Sequence, residues 1–141
     1  VTPRIRAAVD TDLPLIFATW LKGARTSRIA YGVPGRAYHP GQREVVEGLL
    51  AEHGALVACD PEDEDVIWGW CCVGGEPCRA LHWIFVKYYL RGAGVARALL
   101  EAAGLDRGTL VCTHWTRDLD RFHGRVAEYD PYLLTRFHAH H

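Results

Sequence analysis

The run from Ala80 to Gly104, ALHWIFVKYYLRGAGVARALLEAAG, leaves this chain few ways to fold. Its first third is apolar at almost every position, the pattern of a buried strand, and its last half places alanine and leucine along one side of a helix. Between them lies a turn of small residues, Arg91-Gly92-Ala93-Gly94-Val95-Ala96. A strand that turns into a helix here exposes unpaired backbone N–H groups along the new axis, and those groups with the helix dipole favour bound anions, phosphates above all. Small side chains let a ligand approach the backbone closely. A lone Gly-x-Gly also fits an ordinary strand-to-helix connection.

The order of parts around the turn resembles the GCN5-related N-acetyltransferase (GNAT) superfamily. Its acetyl-coenzyme A signature is Arg or Gln, two residues, Gly, one residue, then Gly or Ala, met here by Arg91, Gly94 and Ala96. A strand ending in Val86 precedes them and Leu99-Leu100 follows. The resemblance implies that this strand splays from its neighbour and offers backbone groups to the pantetheine arm while the turn wraps the pyrophosphate. That assigns Ile84, Phe85, Val86, Arg91, Gly92, Ala93, Gly94, Val95 and Ala96 to the donor. One departure is Tyr88, where the family often has proline. The turn is not a dinucleotide-binding fingerprint, because no glycine-rich turn follows a first strand with an acidic residue at the expected distance.

The 141 residues suit one domain with one core, spanning 1–141, and 49% hydrophobic with 23% charged residues suits a folded chain. A net charge of -1 recruits neither nucleic acid nor an acidic membrane. No apolar run approaches a membrane span, the start lacks the apolar core of a signal peptide, and five cysteines, two of them adjacent, suit a reducing compartment. The expectation is a cytoplasmic protein. Cys112, His114 and His123 could be read as metal ligands, but no paired Cys-x-x-Cys accompanies them, and no metal is expected.

Arg4 to Val9 alternates as a strand, Asp10-Thr11-Asp12 offers helix caps, and a helix opens at Leu13-Pro14. Gly23 to Pro40 has no sustained period. Pro40 to His53 reads as a helix closed by Gly54, and Ala55 to Cys59 with Val66 to Val73 as a hairpin around the acidic run 61–65. Beyond Gly104, a strand is expected over Thr109 to His114, a helix from Thr116 to about Tyr129, and a last strand from Tyr132 to Phe137. The resulting fold class is α/β (α+β): a GNAT-like mixed, mostly antiparallel sheet of six or seven strands flanked by helices, with parallel pairing only at the central splay and a shortened C-terminal region.

The resemblance implies N-acetyl transfer by direct attack of a primary amine on the thioester of acetyl-CoA, the donor substrate. A different acyl donor, or a CoA-binding or interaction module without catalysis, remains open. Strand alternation puts His82 on one face with Ile84 and Val86, the resemblance implies that this position points to the cleft, and a near-neutral pKa suits a base. Hydrogen bonding within the sheet would equally account for this imidazole. His114 is a second candidate base. Phe122-His123 stands where the family often has Phe-Tyr, so His123, or Tyr129 or Tyr132, is the candidate acid for the departing sulfur. Tyr31, Tyr38 and His39 are candidates for the acceptor, a small-molecule or protein amine. Dimers are common in the fold, so a homodimer is compatible with the resemblance.

Overall fold

The computed structural model describes residues 2–24, 35–74, 80–91, 93–105, 110–113 and 126–129. Strand β1 (Arg4–Ala7) leads through a 3-10 turn (Asp10–Asp12) into α1 (Leu13–Ala24). The entry is fastened by Asp12, whose carboxylate accepts two guanidinium N–H bonds from Arg6 at 2.7 and 3.0 Å and the Val9 amide at 2.8 Å. Helix α2 (Gly35–His53) begins five residues before the predicted Pro40. Pro40 therefore sits inside the helix, where it donates no amide N–H, rather than marking the first turn, and the stretch read as wholly irregular is helical from Gly35. Gly54 ends α2 at φ +69, a left-handed conformation that glycine adopts without steric cost, and its amide bonds the Leu50 carbonyl at 2.8 Å.

The sheet has six strands in the order β1-β2-β3-β4-β5-β6, with β2 at Leu56–Asp60, β3 at Asp63–Gly74, β4 at Ala80–Val86, β5 at Leu110–Cys112 and β6 at Val126–Tyr129. The first four strands pair antiparallel and the last two add in parallel. Two sequence expectations are corrected here. Val126–Tyr129 is a strand, not the end of a helix, and its pairing with β5 makes a second parallel contact beyond the β4–β5 one. The acidic run also starts β3 earlier than predicted, because the carboxylates of Asp60 and Asp63 bond the amides two residues on, at 2.8 and 3.0 Å. The predicted strand 132–137 lies outside the described residues.

Helices cover both faces of the sheet. On one face Ile16 and Trp20 of α1 and Val46 and Leu49 of α2 are completely buried with Val57, Cys59, Trp70 and Cys72. On the other, helix α3 (Val95–Ala102) packs Val95, Leu99 and Leu100 on Ala58, Cys71, Leu81 and Cys112. Full burial of each leucine contributes about 1.5–3 kcal/mol. Trp20 lies between two sheet indoles, its ring centroid 5.3 Å from Trp70 and 6.2 Å from Trp83.

Register shifts interrupt the alternation, and two of them, both β-bulges, bear on the site. The register steps from Ala58↔Gly69 to Cys59↔Ile67, leaving Trp68 as an extra residue of β3. It also steps from Cys72↔Trp83 to Val73↔Leu81, leaving His82 as an extra residue of β4. Trp68 accordingly packs on the α3 side although Trp70 belongs to the opposite core. Close strand packing beside the first bulge makes one substitution informative. A Cβ on Gly69 would overlap the Phe85 carbonyl oxygen and lie 3.2 Å from the Val86 Cα, both rigid backbone of β4. Gly69→Ala is expected to lower stability by about 2–3 kcal/mol, read as a reduced urea midpoint at unchanged slope; an unchanged midpoint would contradict this packing.

Candidate active site

Strand β4 leaves the sheet at a defined point. The amide of Lys87 donates to the carbonyl of the bulged Trp68 at 2.9 Å, and a 3-10 turn (Tyr88–Leu90) follows. Amide bonds from Leu90 to Lys87, Arg91 to Tyr88 and Ala93 to Leu90 wind the chain toward Gly94. Gly94 stands at φ +86 as the N-cap of α3, and among the described residues beyond its chain neighbours no atom lies within 4 Å of where its Cβ would be. The backbone conformation, not lack of room, calls for glycine, and the surface above it is open.

The first bond inside α3 runs from the Ala98 amide to the Gly94 carbonyl at 3.0 Å. The amides of Val95, Ala96 and Arg97 precede it, at the positive end of the helix dipole. Two exposed cations belong to the turn and the first helical residues, Arg91 and Arg97, and the half-buried Lys87 precedes the 3-10 turn. Arg91 donates from Nε to the Val86 carbonyl at 3.4 Å, and its guanidinium lies 5.7 Å from the centre of the exposed Tyr88 ring. Such an end suits a doubly charged phosphate ester.

Beside the turn, β4 and β5 meet only briefly within the described residues. Leu81 pairs with Cys112, the Thr113 amide donates to the Leu81 carbonyl at 3.2 Å, and residues 83–86 pair with β3. Of the predicted donor residues, Ile84, Phe85 and Val86 end the strand, while Arg91, Ala93, Gly94, Val95 and Ala96 form the turn and first helical residues. Ile84 and Val86 face the α3 side and Phe85 the opposite core; the Val95 side chain is buried, so its amide alone is available. Gly92 lies outside the described residues.

His82 requires a correction. The bulge breaks the alternation on which the predicted shared face with Ile84 and Val86 rested, and the ring turns toward α2, stacked on His53 with centroids 5.1 Å apart and planes 13° from parallel. It is 3% exposed, with Nε2 3.0 Å from the Gly74 carbonyl and Nδ1 3.0 Å from the Thr113 hydroxyl. Burial first, and then neighbouring His53, push its pKa down to about 4 against the opposing hydrogen bond to Gly74. Both nitrogens are occupied inside the protein, so this ring does not present a free lone pair to a substrate.

His114, His123, Tyr31 and Tyr132 lie outside the described residues, as do the side chains of Tyr38 and His39, which fall on α2. Tyr129 belongs to β6, opposite Cys112. Thr113, His53 and Gly74 went unnoticed in the sequence, where nothing marks them as partners of His82. Cys59, Cys71, Cys72 and Cys112 are buried; burial pushes the thiol of Cys112 up to about 11 and that of Cys72 further still. Among the described residues no group of three His, Cys, Asp or Glu side chains is placed to hold a metal ion, and no helix is long and apolar enough to cross a membrane.

This is a GNAT-like fold, a mixed sheet with a strand, a glycine-capped turn and a helix at its centre. Solved structures share it. One from Pyrococcus furiosus, named "Putative acetyl transferase", is 22% identical with a TM-score of 0.55, over 72% of this chain and 71% of that one. Apo-form YjaB from Escherichia coli is 21% identical with a TM-score of 0.52, over 78% and 69%. A structure named as histone acetyltransferase HPA2 and related acetyltransferase, from Corynebacterium glutamicum, is 18% identical with a TM-score of 0.52, over 78% and 74%. No family model matches the sequence, and no curated protein matches it.

Proposed function

We propose that this chain is an acetyl-CoA-dependent N-acetyltransferase. The observation that carries the reading is the Gly94-capped N-terminus of α3, exposed and accompanied by Arg91 and Arg97, reached by a 3-10 turn from a strand that makes one parallel pair with β5 among the described residues. The amides of Val95, Ala96 and Arg97, with Arg91, would hold the pyrophosphate, and the edge of β4 near Ile84 to Val86 would bond the amides of the pantetheine arm.

Acetyl-CoA supplies an acetyl group activated as a thioester. The acceptor amine loses its proton and attacks the carbonyl carbon; a C–N bond forms, the C–S bond breaks, and the thiolate leaves to be protonated. Backbone N–H groups of β4 would polarise the thioester oxygen. With His82 occupied, the base role passes to His114, which follows Thr113 directly, and the acid role stays with His123 or Tyr129. The acceptor is a small-molecule or protein amine, for which Tyr31, Tyr38 and His39 are the proposed contacts, and the cytoplasm is the proposed location.

Calorimetry with acetyl-CoA tests the reading: micromolar binding with a 1:1 stoichiometry is expected, and no binding at such concentrations overturns it. Binding without thiol release across a panel of amines would instead favour a CoA-binding module.

A further inference from the structure

His82 is a buried titratable group that the proposed chemistry leaves unused, and its surroundings give it another task. A carbonyl oxygen only accepts, so Nε2 carries the proton and donates to Gly74 at the end of β3. Nδ1 then has a lone pair and accepts the hydroxyl proton of Thr113, which directly follows β5 and is fully buried. One neutral ring thus joins three neighbouring strands. Above it lies His53 of α2, packed so closely over Gly74 that a Cβ there would overlap the His53 ring. His53 is the titratable group facing the ring from α2; the groups bonded to it from β3 and β5 are neutral.

The bridge stands at the last pairing of β4 with β5 among the described residues. Leu81 pairs with Cys112 and accepts the Thr113 amide, and the next residue of β4 is His82 itself. Two bonds from Thr113, one through its backbone and one through its side chain, therefore set the separation of the strands at that pairing. We propose that His82 and Thr113 are positioning residues that fix the width of the β4–β5 gap, and so the fit of the pantetheine arm of the donor. This rests on the donor reading above. The nucleotide end of the donor would be held at α3, across the 3-10 turn from His82 in the chain.

The two ends of the ligand separate this role from simple stability. Thr113→Val keeps the shape and removes the hydroxyl, leaving Nδ1 buried without its donor, whereas Thr113→Ser keeps the bond. In Thr113→Val, affinity for acetyl-CoA should fall about tenfold while affinity for adenosine 3′,5′-bisphosphate, which lacks the arm, stays within twofold, about the scatter expected of an unaffected site. Thr113→Ser should resemble the parent for both ligands. Equal weakening of both ligands, or of neither, overturns the proposal. Should Thr113→Val fail to fold, nitrogen NMR of the unaltered protein decides: His82 is expected as the neutral Nε2–H tautomer at pH 6, and an Nδ1–H tautomer or a charged ring overturns the bridge. Failure of the unaltered protein to bind acetyl-CoA sinks the donor reading, while the tautomer still reports on the bridge itself.

Discussion

Asp12→Ala is expected to remove about 3–5 kcal/mol of stability, the range found when one partner of a buried ion pair is taken away. Asp12 is 3% exposed, and its carboxylate satisfies two Arg6 N–H groups and the Val9 amide that begins the turn into α1. Without it, Arg6 keeps its bonds to the Ala7 and Glu64 carbonyls, but among the described residues its Nε is buried with no acceptor and no carboxylate is left to balance its charge there. Asp12→Asn retains an acceptor and should lose less. The hydrogen bond from Arg6, with that from Val9, holds the Asp12 carboxyl below its ordinary 3.8, outweighing burial. Its contribution is therefore complete above about pH 4 and lost as pH falls through the lower folded value. His82 acts at higher pH. Its folded pKa of about 4 lies below the ordinary 6.5, so the unfolded chain binds the proton first. Stability is full above pH 6.5 and declines toward pH 4, by about 3 kcal/mol. Urea midpoints between pH 3 and 7 should show both windows in the parent and the upper one alone in Asp12→Ala. A variant with parental stability would show that the ion pair contributes nothing.

At the other end of the molecule, Ala96→Asp should act on stability and binding in opposite directions. A carboxylate in the first turn of α3 faces the positive end of the helix dipole and should add about 0.3–1 kcal/mol. The same carboxylate occupies the space proposed for the pyrophosphate, where it repels the ligand and competes for the amides of Val95, Ala96 and Arg97. Loss of two charge-assisted hydrogen bonds corresponds to at least about a hundredfold weaker binding of acetyl-CoA. Thermal unfolding and calorimetry on the same sample read both numbers. Unaltered affinity in a folded variant would place the anion elsewhere.

The central strand, turn and helix were legible because each carries a local signal: the apolar run before Val86, a glycine at the one turn position with φ +86, and leucines at helical spacing. The antiparallel strands were legible for the same reason, apart from their ends. The side to which His82 points was not. A bulge inserts one residue without any mark in composition, and a single insertion reverses every inference made from alternation. Val126–Tyr129 misled differently, since Leu119, Phe122 and Val126 follow a helical spacing while the partner that makes 126–129 a strand is the distant β5. The His82 partners were hidden for a related reason: Thr113 is 31 positions away and becomes a neighbour only when β5 docks.

The strand order also bears on the sequence of events by which the chain assembles. β2 and β3 are joined by a tight turn, and β4 follows β3 directly, so these three strands close short loops at small entropic cost. β1 reaches β2 only across 55 positions, from Arg4 to Cys59, after α1 and α2 have been placed between them. The parallel strands must wait for α3 to pack, because β5 joins β4 from the far side of that helix in the chain. Pairing over such separations is slow. The meander β2-β3-β4 is thus the expected nucleus, and the gap proposed to receive the donor is among the last features of the sheet to take shape.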